Sequence, residues 1–406
     1  MSRINNNMKK STIVIACLIT MIAIAQACSK LQPALPANEL LLDGPVAGLS
    51  YEQNRQFLAG DRAFNNEIFT TATGLGSIFV ATSCGSCHAG DGKGHPFTTL
   101  TRFGQTDSTG NKFLHMGGPQ LQNRALPGYM AEQIPVGASF SKFTPPANTG
   151  LGFLELVSDA DIIAMSDPND ANGDGISGVP NWIALPSFIS PNANAITQNG
   201  KYIHRFGKKA AAYNLLHQTV NAYNQDIGIT SAFSPTDVYS GLNIGPEVSE
   251  LTVHNVVFYL QTLKAPLPRN ENDAEIIKGK NLFVQAGCEN CHKQTLKTGL
   301  SSIPPLSNKT FFPYTDLLLH DMGPGLDDGY TEGFAKTSEW RTPPLWGLGL
   351  SPNSQGGQYF LMHDGRAKTI EEAIILHGGE ATASKNNFTR MNAADKNVII
   401  KFLKSL

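Results

Sequence analysis

Two copies of one five-residue pattern constrain this chain more than anything else in it: Cys84-Gly85-Ser86-Cys87-His88 and Cys288-Glu289-Asn290-Cys291-His292. C-x-x-C-H is the attachment sequence for c-type haem. Each thiol adds across one vinyl group, and the histidine that follows becomes the proximal ligand of the iron. Cys84, Cys87, Cys288 and Cys291 are therefore the expected attachment points, with His88 and His292 as axial ligands. A thioredoxin-like redox pair or half of a zinc site is the other use of such cysteines. A redox pair does not require the trailing histidine, and the zinc reading ignores the export signal that opens the chain.

Arg3, Lys9 and Lys10 precede the apolar run TIVIACLITMIAIA at 12–25, too short for a comfortable membrane span. Ala25-Gln26-Ala27-Cys28 then resembles a lipoprotein cleavage site, so residues 1–28 read as a signal peptide and Cys28 as the lipidation site. A simple secretory signal or an uncleaved anchor is the alternative. The lipoprotein reading tethers the mature protein to a membrane, facing the periplasm on the cell envelope, through a flexible leader at 29–50. Six cysteines are present. With Cys17 in the signal, Cys28 carrying lipid and four on haem, none is left for a disulfide. Haem c is attached outside the cytoplasmic membrane, so signal and motifs agree. A formal charge of -2 without a basic cluster argues against a nucleic-acid partner.

With 39 Gly and 24 Pro, the composition is that of a loop-rich globular protein, and the length suits two domains. Glu275 to Gln285 places Ile276, Ile277, Leu282 and Phe283 at helical intervals ahead of the second motif, and Phe57, Leu58 and Phe64 suggest a similar helix ahead of the first. Asn255 to Leu263 (NVVFYLQTL) and Asn397 to Leu406 (NVIIKFLKSL) read as repeated closing helices. Two amphipathic helices can look alike by chance, but each of these ends a segment opened by a haem motif. The expectation is an all-α fold of two cytochrome c-like haem domains with long loops, at 51–265 and 271–406. The linker falls at Ala265 to Asn270, and an insertion in the N-terminal half includes a helix within Arg205 to Asp226.

Thr369-Ile370-Glu371-Glu372 reads as a capping box, opening a short helix that ends at His377 before Gly378-Gly379. That is a rigid place from which to present an imidazole to iron; a histidine merely favoured by the helix C-terminus is the alternative. Asp170-Ala171-Asn172-Gly173-Asp174-Gly175-Ile176 follows the opening of a calcium loop, which makes Asp170, Asn172, Asp174 and Ile176 candidate Ca2+ ligands. Its twelfth position is Asn181 rather than Glu, so a plain Asx-rich turn is the alternative.

Arg341 to Trp346 (RTPPLW), Tyr359 to Arg366 (YFLMHDGR) and Thr369 to Ala373 resemble the C-terminal domain of bacterial di-haem cytochrome c peroxidases and the MauG group. The chain from about Phe57 onward resembles the DHOR family of di-haem oxidoreductases, also known as predicted thiol oxidoreductases. Gly74-Leu75-Gly76 with Ser83-Cys84, Arg205-Phe206-Gly207, Asp226 to Thr230, Tyr314 to Gly325 and His363 to Ala381 carry that likeness. It implies that His377, 14 positions after His363, is the second axial ligand of the C-terminal haem. The relatives have Met or Tyr there, and a His292/His377 haem has a lower potential than a His/Met one, which puts the peroxidase electron-flow scheme in doubt. It implies further that Arg341, His363 and Arg366 shape a haem pocket, with Trp340 and Trp346 packed on the second haem. Trp182 is a candidate bridge between haems, and His320 and Met322 are rival ligands, read as structural. In the relatives the N-terminal haem is the reactive one. Peroxide chemistry there needs an open iron position, an acid–base group and a donor for the departing hydroxide. The candidates are Glu132 first, then Gln120, His115 and His95, while Met116 or Met130 at the iron would abolish reactivity.

The implied function is an oxidoreductase with two haem c groups that reduces hydrogen peroxide at the N-terminal haem. Electrons arrive through the C-terminal haem from a periplasmic donor such as a small cytochrome or cupredoxin. MauG-like oxidation of a protein partner and an electron carrier without substrate chemistry are the alternatives. The thiol-oxidoreductase label requires free dithiols, which haem attachment consumes.

Overall fold

The computed structural model describes residues 36–406. The signal segment 1–28, Cys28 and the start of the 29–50 leader lie outside the described residues. The chain divides into a unit at 1–41, whose described part holds the short turn Asn38–Leu40, and a unit at 42–406.

Ten α-helices occur among the described residues of the larger unit. They are α1 (Tyr51–Asp61), α2 (Leu151–Glu155), α3 (Asp159–Met165), α4 (Leu215–Asn221), α5 (Glu250–Thr262), α6 (Ala274–Gln285), α7 (Ser351–Ser354), α8 (Ile370–Leu376), α9 (Thr382–Arg390) and α10 (Ala393–Ser405). Most start on a side chain that caps a free backbone N–H: Ser50, Ser158, Asn214, Ser249, Asp273, Thr369 and Asn392. π-Helical turns extend α1 (Arg62–Asn66) and α4 (Ala222–Asp226).

The two halves share one helix crossing. Ahead of each cysteine motif a helix crosses the closing helix of its half, α1 on α5 and α6 on α10. Both crossings are built on a glycine. A Cβ at Gly60 would run into the Asn255 carbonyl oxygen, and one at Gly279 into that of Val398. Tyr259 and Phe402 cover the two glycines one turn further on. The buried positions of the closing helices correspond: Val256, Tyr259, Leu260 and Leu263 in the first, Ile399, Phe402, Leu403 and Leu406 in the second.

The expectation of an all-α fold needs correction. Among the described residues, four two-stranded antiparallel sheets and one three-stranded sheet join the loops. β1 (Ile78–Phe79) pairs with β3 (Arg124–Ala125), and β2 (Leu100–Phe103) with β4 (Phe140–Phe143). β7 (Lys201–His204) lies between β5 (Asn181–Ile183) and β6 (Thr197–Gln198). β8 (Leu296–Lys297) pairs with β9 (Thr310–Phe311), and β10 (Leu319–Asp321) with β11 (Glu339–Arg341). These strands are too short to leave a two-residue alternation in the sequence.

The larger hydrophobic core joins α1, α4 and α5 to Leu296, Leu306, Phe311 and Trp346 from beyond the second motif; the smaller one gathers α6, α8, α9 and α10. Trp346 thus packs on Phe311, ring centroids 5.8 Å apart, as part of the N-terminal core.

Candidate functional site

Each cysteine motif is a single tight turn. The N–H of His88 donates to the Cys84 carbonyl and that of His292 to the Cys288 carbonyl, both at 3.0 Å. This folds the histidine back over its two cysteines. All four thiols are unpaired and half-buried. Burial pushes Cys84 and Cys288 up to about 12 and Cys87 up to about 11. A thiol–disulfide exchange pair needs the opposite shift, toward a stable thiolate.

Both motifs open on one continuous cavity, lined also by His377, Arg341 and Trp340. Three histidines on it share one device. Nδ1 of His88 meets the Pro146 carbonyl at 3.0 Å, Nδ1 of His292 the Tyr314 carbonyl at 3.0 Å, and Nδ1 of His377 the Ala373 carbonyl at 2.7 Å. A carbonyl only accepts, so each Nδ1 carries the proton and each Nε2 presents a bare lone pair, the tautomer a metal requires. Burial pushes His88 and His292 down to about 4, and His377 in the same direction. His377 caps α8 and lies near enough for its charge to be felt at His292, whereas the charge felt at His88 is that of Lys208. The helix before His377 departs from a full capping box. Thr369 accepts from the Glu372 N–H, but Glu372 reaches past it to the Lys368 N–H at 2.6 Å.

His320 has no lone pair to offer. Its Nδ1 meets Glu380 at 2.7 Å and its Nε2 meets Asp316 at 2.8 Å. Burial opposes the charge, yet these bonds hold His320 well above its usual range. Against the push of burial, His320 draws Glu380 down to about 2. Cys291 Sγ lies 3.6 Å from His320 Nδ1, so the imidazolium sits beside the second motif as a charge, not a ligand.

The pocket residues expected from the sequence divide. Arg341 lines the cavity, its Nε donating to the Gly207 carbonyl at 2.8 Å. His363 also lines it, with Nε2 2.7 Å from Asp328. Arg366 does not: it pairs with Asp364 at 2.8 Å and Asp328 at 3.2 Å, outside the lining. Trp182 sits on β5 and is likewise absent from the lining.

None of the four acid–base candidates reaches the cavity. The Glu132 carboxylate is taken up by the N–H groups of Gly118 at 3.1 Å and Gln122 at 2.7 Å, closing the loop between them. Gln120 is buried against β2 with its amide unpartnered. His115 is exposed, and His95 is held between Phe97 and Phe360. Met116 and Met130 are exposed.

In the 170–176 loop, Asp170 accepts from the Gly175 N–H, Asn172 from Asp174 and Asp174 from Ile176. The loop thus closes on its own backbone. Asn181 is turned away, donating to the Lys209 and Glu332 carbonyls. Ser177, just beyond the loop, donates through Oγ to Glu380 at 2.6 Å.

The lining contains groups that local sequence does not flag. Asn148 Nδ2, Thr149 Oγ1, Thr219 Oγ1 and the Tyr223 hydroxyl are buried on it without hydrogen-bond partners. Lys93, Lys208 and Arg341 converge there, and neither lysine has a carboxylate within ion-pairing distance. Burial, Lys93 and Arg341 together push Lys208 well below its ordinary range, and burial takes Lys93 down to about 8. Half-buried cations without carboxylate partners call for anions. A group carrying an iron and carboxylates satisfies both the bare imidazole nitrogens and these cations, so the residues present fit haem.

The family comparison agrees. The family described as "Di-haem oxidoreductase, putative peroxidase" matches residues 141–406. No curated protein matches the sequence. Among solved structures, the Kuenenia stuttgartiensis hydrazine synthase is similar at 12% identity and TM-score 0.39, over 93% of this chain and 98% of that one. A MauG-like protein associated with microbial copper homeostasis is similar at 15% identity and TM-score 0.38, over 92% and 94%. The diheme peroxidase BthA from Burkholderia thailandensis is similar at 15% identity and TM-score 0.41, over 87% and 86%. With one family spanning the second motif, His320, Arg341, His363 and His377, this chain belongs to the di-haem oxidoreductases.

Proposed function

We propose that this oxidoreductase is a peroxidase-type enzyme whose two haems are joined through thioethers to Cys84 and Cys87 and to Cys288 and Cys291. Peroxide is reduced on the side of the first motif, and electrons enter on the side of the second. The observation that carries this reading is an asymmetry between the two histidines. Three lining imidazoles, those of His88, His292 and His377, keep Nε2 free for two irons, and His377 lies within electrostatic reach of His292. Two imidazoles close an iron to substrate; a lone one leaves a position for peroxide.

Haem, when bound, supplies the iron at which peroxide is held and the electrons pass. The chain's own residues do the rest. The Pro146 and Tyr314 carbonyls fix the two proximal rings in their binding tautomer. Lys93, Lys208 and Arg341 neutralise carboxylates brought into the cavity. The apolar walls, among them Phe64, Phe143, Phe206 and Leu260, exclude bulk water. The electron donor is a small periplasmic cytochrome or cupredoxin, and Cys28 holds the protein to the cell envelope through lipid. Among the described residues no helix is long and apolar enough to cross a membrane.

The test is peroxide-dependent oxidation of a reduced small cytochrome by purified protein, with intact mass measured on the same sample. Two haem masses and turnover are expected. Two haem masses without turnover or any spectral response to peroxide would make the protein a carrier, and the absence of haem mass would remove the reading.

A further inference from the structure

The helical segment formed by α4 and its π-helical turn presents Thr219, Tyr223 and Asp226 to the cavity. At intervals of four and three residues they lie along one helix face. The Thr219 and Tyr223 hydroxyls are buried there without partners. The Asp226 carboxylate makes no hydrogen bond or ion pair, while its backbone carbonyl accepts from the N–H groups of Val80 at 2.7 Å and Ala81 at 3.0 Å. Those bonds fix Asp226 against the strand that leads into Cys84. Its charge is felt at both Cys84 and Cys87, whereas His88 feels Lys208. The Asp226 side chain thus lines the same cavity as the first motif.

Next to it stands Arg102 on β2, ion-paired to Glu332 and donating to Gln225 Oε1 at 3.2 Å. Tyr330 in turn donates to Glu332 at 3.1 Å. A carboxylate, a guanidinium and unsatisfied hydroxyls on one wall of the reactive cavity are what heterolysis of a peroxide bond requires.

We propose that Asp226 is the proton-transfer residue of the first haem site and that Arg102 is the cationic donor beside it. The inference rests on the peroxidase reading above. As carboxylate, Asp226 would take the proton from one peroxide oxygen and return it to the far one. The O–O bond breaks and that far oxygen leaves as water, its developing negative charge met by Arg102. Two electrons from the reduced periplasmic carrier and two protons from solvent complete H2O2 + 2 e⁻ + 2 H⁺ → 2 H2O.

Burial pushes Asp226 up to about 7, with Arg102 pulling it back, so it can accept and release a proton near neutral pH. The titratable and charged groups around it are Arg102, Tyr223, Cys84 and Cys87, with Glu67 felt at Cys84 and Glu332 behind Arg102. The π-helical turn at Ala222–Asp226 is a local departure of the kind found at functional sites.

Cyanide probes the group without turnover, because HCN must lose its proton to bind ferric iron. In the ferric holoprotein, Asp226→Asn is expected to slow cyanide association and peroxide reaction by about 10²-fold or more. It is also expected to abolish the rate inflection near neutral pH, with the spectrum of the second haem unchanged. Asp226→Glu restores most of both rates. Wild-type rates and an unaltered inflection in Asp226→Asn, measured from about pH 5 to about pH 9, would overturn the inference and leave the peroxidase reading standing. Wild-type protein inert to both cyanide and peroxide would overturn both.

Discussion

The imidazole of His363 lies flat on the indole of Trp340, with 3.7 Å between ring centroids and 11° between planes. The ammonium of Lys209 stands 3.5 Å from the centroid of the same indole, so it covers the opposite face. The indole N–H donates to the Leu326 carbonyl at 2.7 Å. Trp340→Phe keeps a ring in the slot but strands that carbonyl, so a loss of about 1–3 kcal/mol is expected, read from denaturant unfolding of the holoprotein. No loss would mean that the indole is held by packing alone.

His377→Ala is expected to convert the second haem from six- to five-coordinate while leaving both haems in place. Absorption and EPR of the ferric variant check this. An unchanged low-spin signal would reassign the ligand.

The two distal assignments differ in how far sequence alone reached them. The two cysteine turns were legible because their chemistry demands a fixed spacing; for His377 the capped short helix ending in Gly-Gly left the role open, and its reading as an axial ligand came from the resemblance to the di-haem peroxidases. Asp226 and Arg102 were not legible as a pair. They sit on the π-helical turn that follows α4 and on β2, far apart in the chain, and the donation from Arg102 to Gln225 joins the two elements. Glu132 was attractive on local grounds, as a carboxylate in a loop after the motif, but two backbone N–H groups consume it. The closing helices were legible by their apolar stripe. The glycine crossings that seat them were not, since a glycine's neighbours across a helix interface leave no mark beside it.

Lys208→Met removes a half-buried lysine with no carboxylate in ion-pairing distance. In the holoprotein the loss of positive charge disfavours the ferrous state, so the potential of the first haem is expected to fall, with Lys208→Arg restoring it. Redox titration followed by optical spectroscopy reads both. No shift in either haem would show that Lys208 does not face a haem carboxylate.

Glu380 links His320, Ser177 and Asp321, and its folded value of about 2 lies below the usual 4.5. A depressed carboxylate contributes stability that is complete above its unfolded value and is lost as pH falls toward the folded one. Glu380→Gln is therefore expected to cost about 3 kcal/mol near neutral pH, because it leaves part of a buried charge unpaired. It should also flatten the acid limb of the stability curve between pH 4.5 and about 2. His320, raised well above its usual range, contributes stability that is lost only as pH climbs past its folded value. Urea unfolding across pH separates the two limbs.

The central claim is one cavity with an open iron beside His88 and a closed one between His292 and His377. EPR of the ferric protein before and after peroxide tests it most directly. The account predicts one high-spin and one low-spin haem, with the high-spin signal lost on peroxide addition. Two low-spin signals indifferent to peroxide would contradict it.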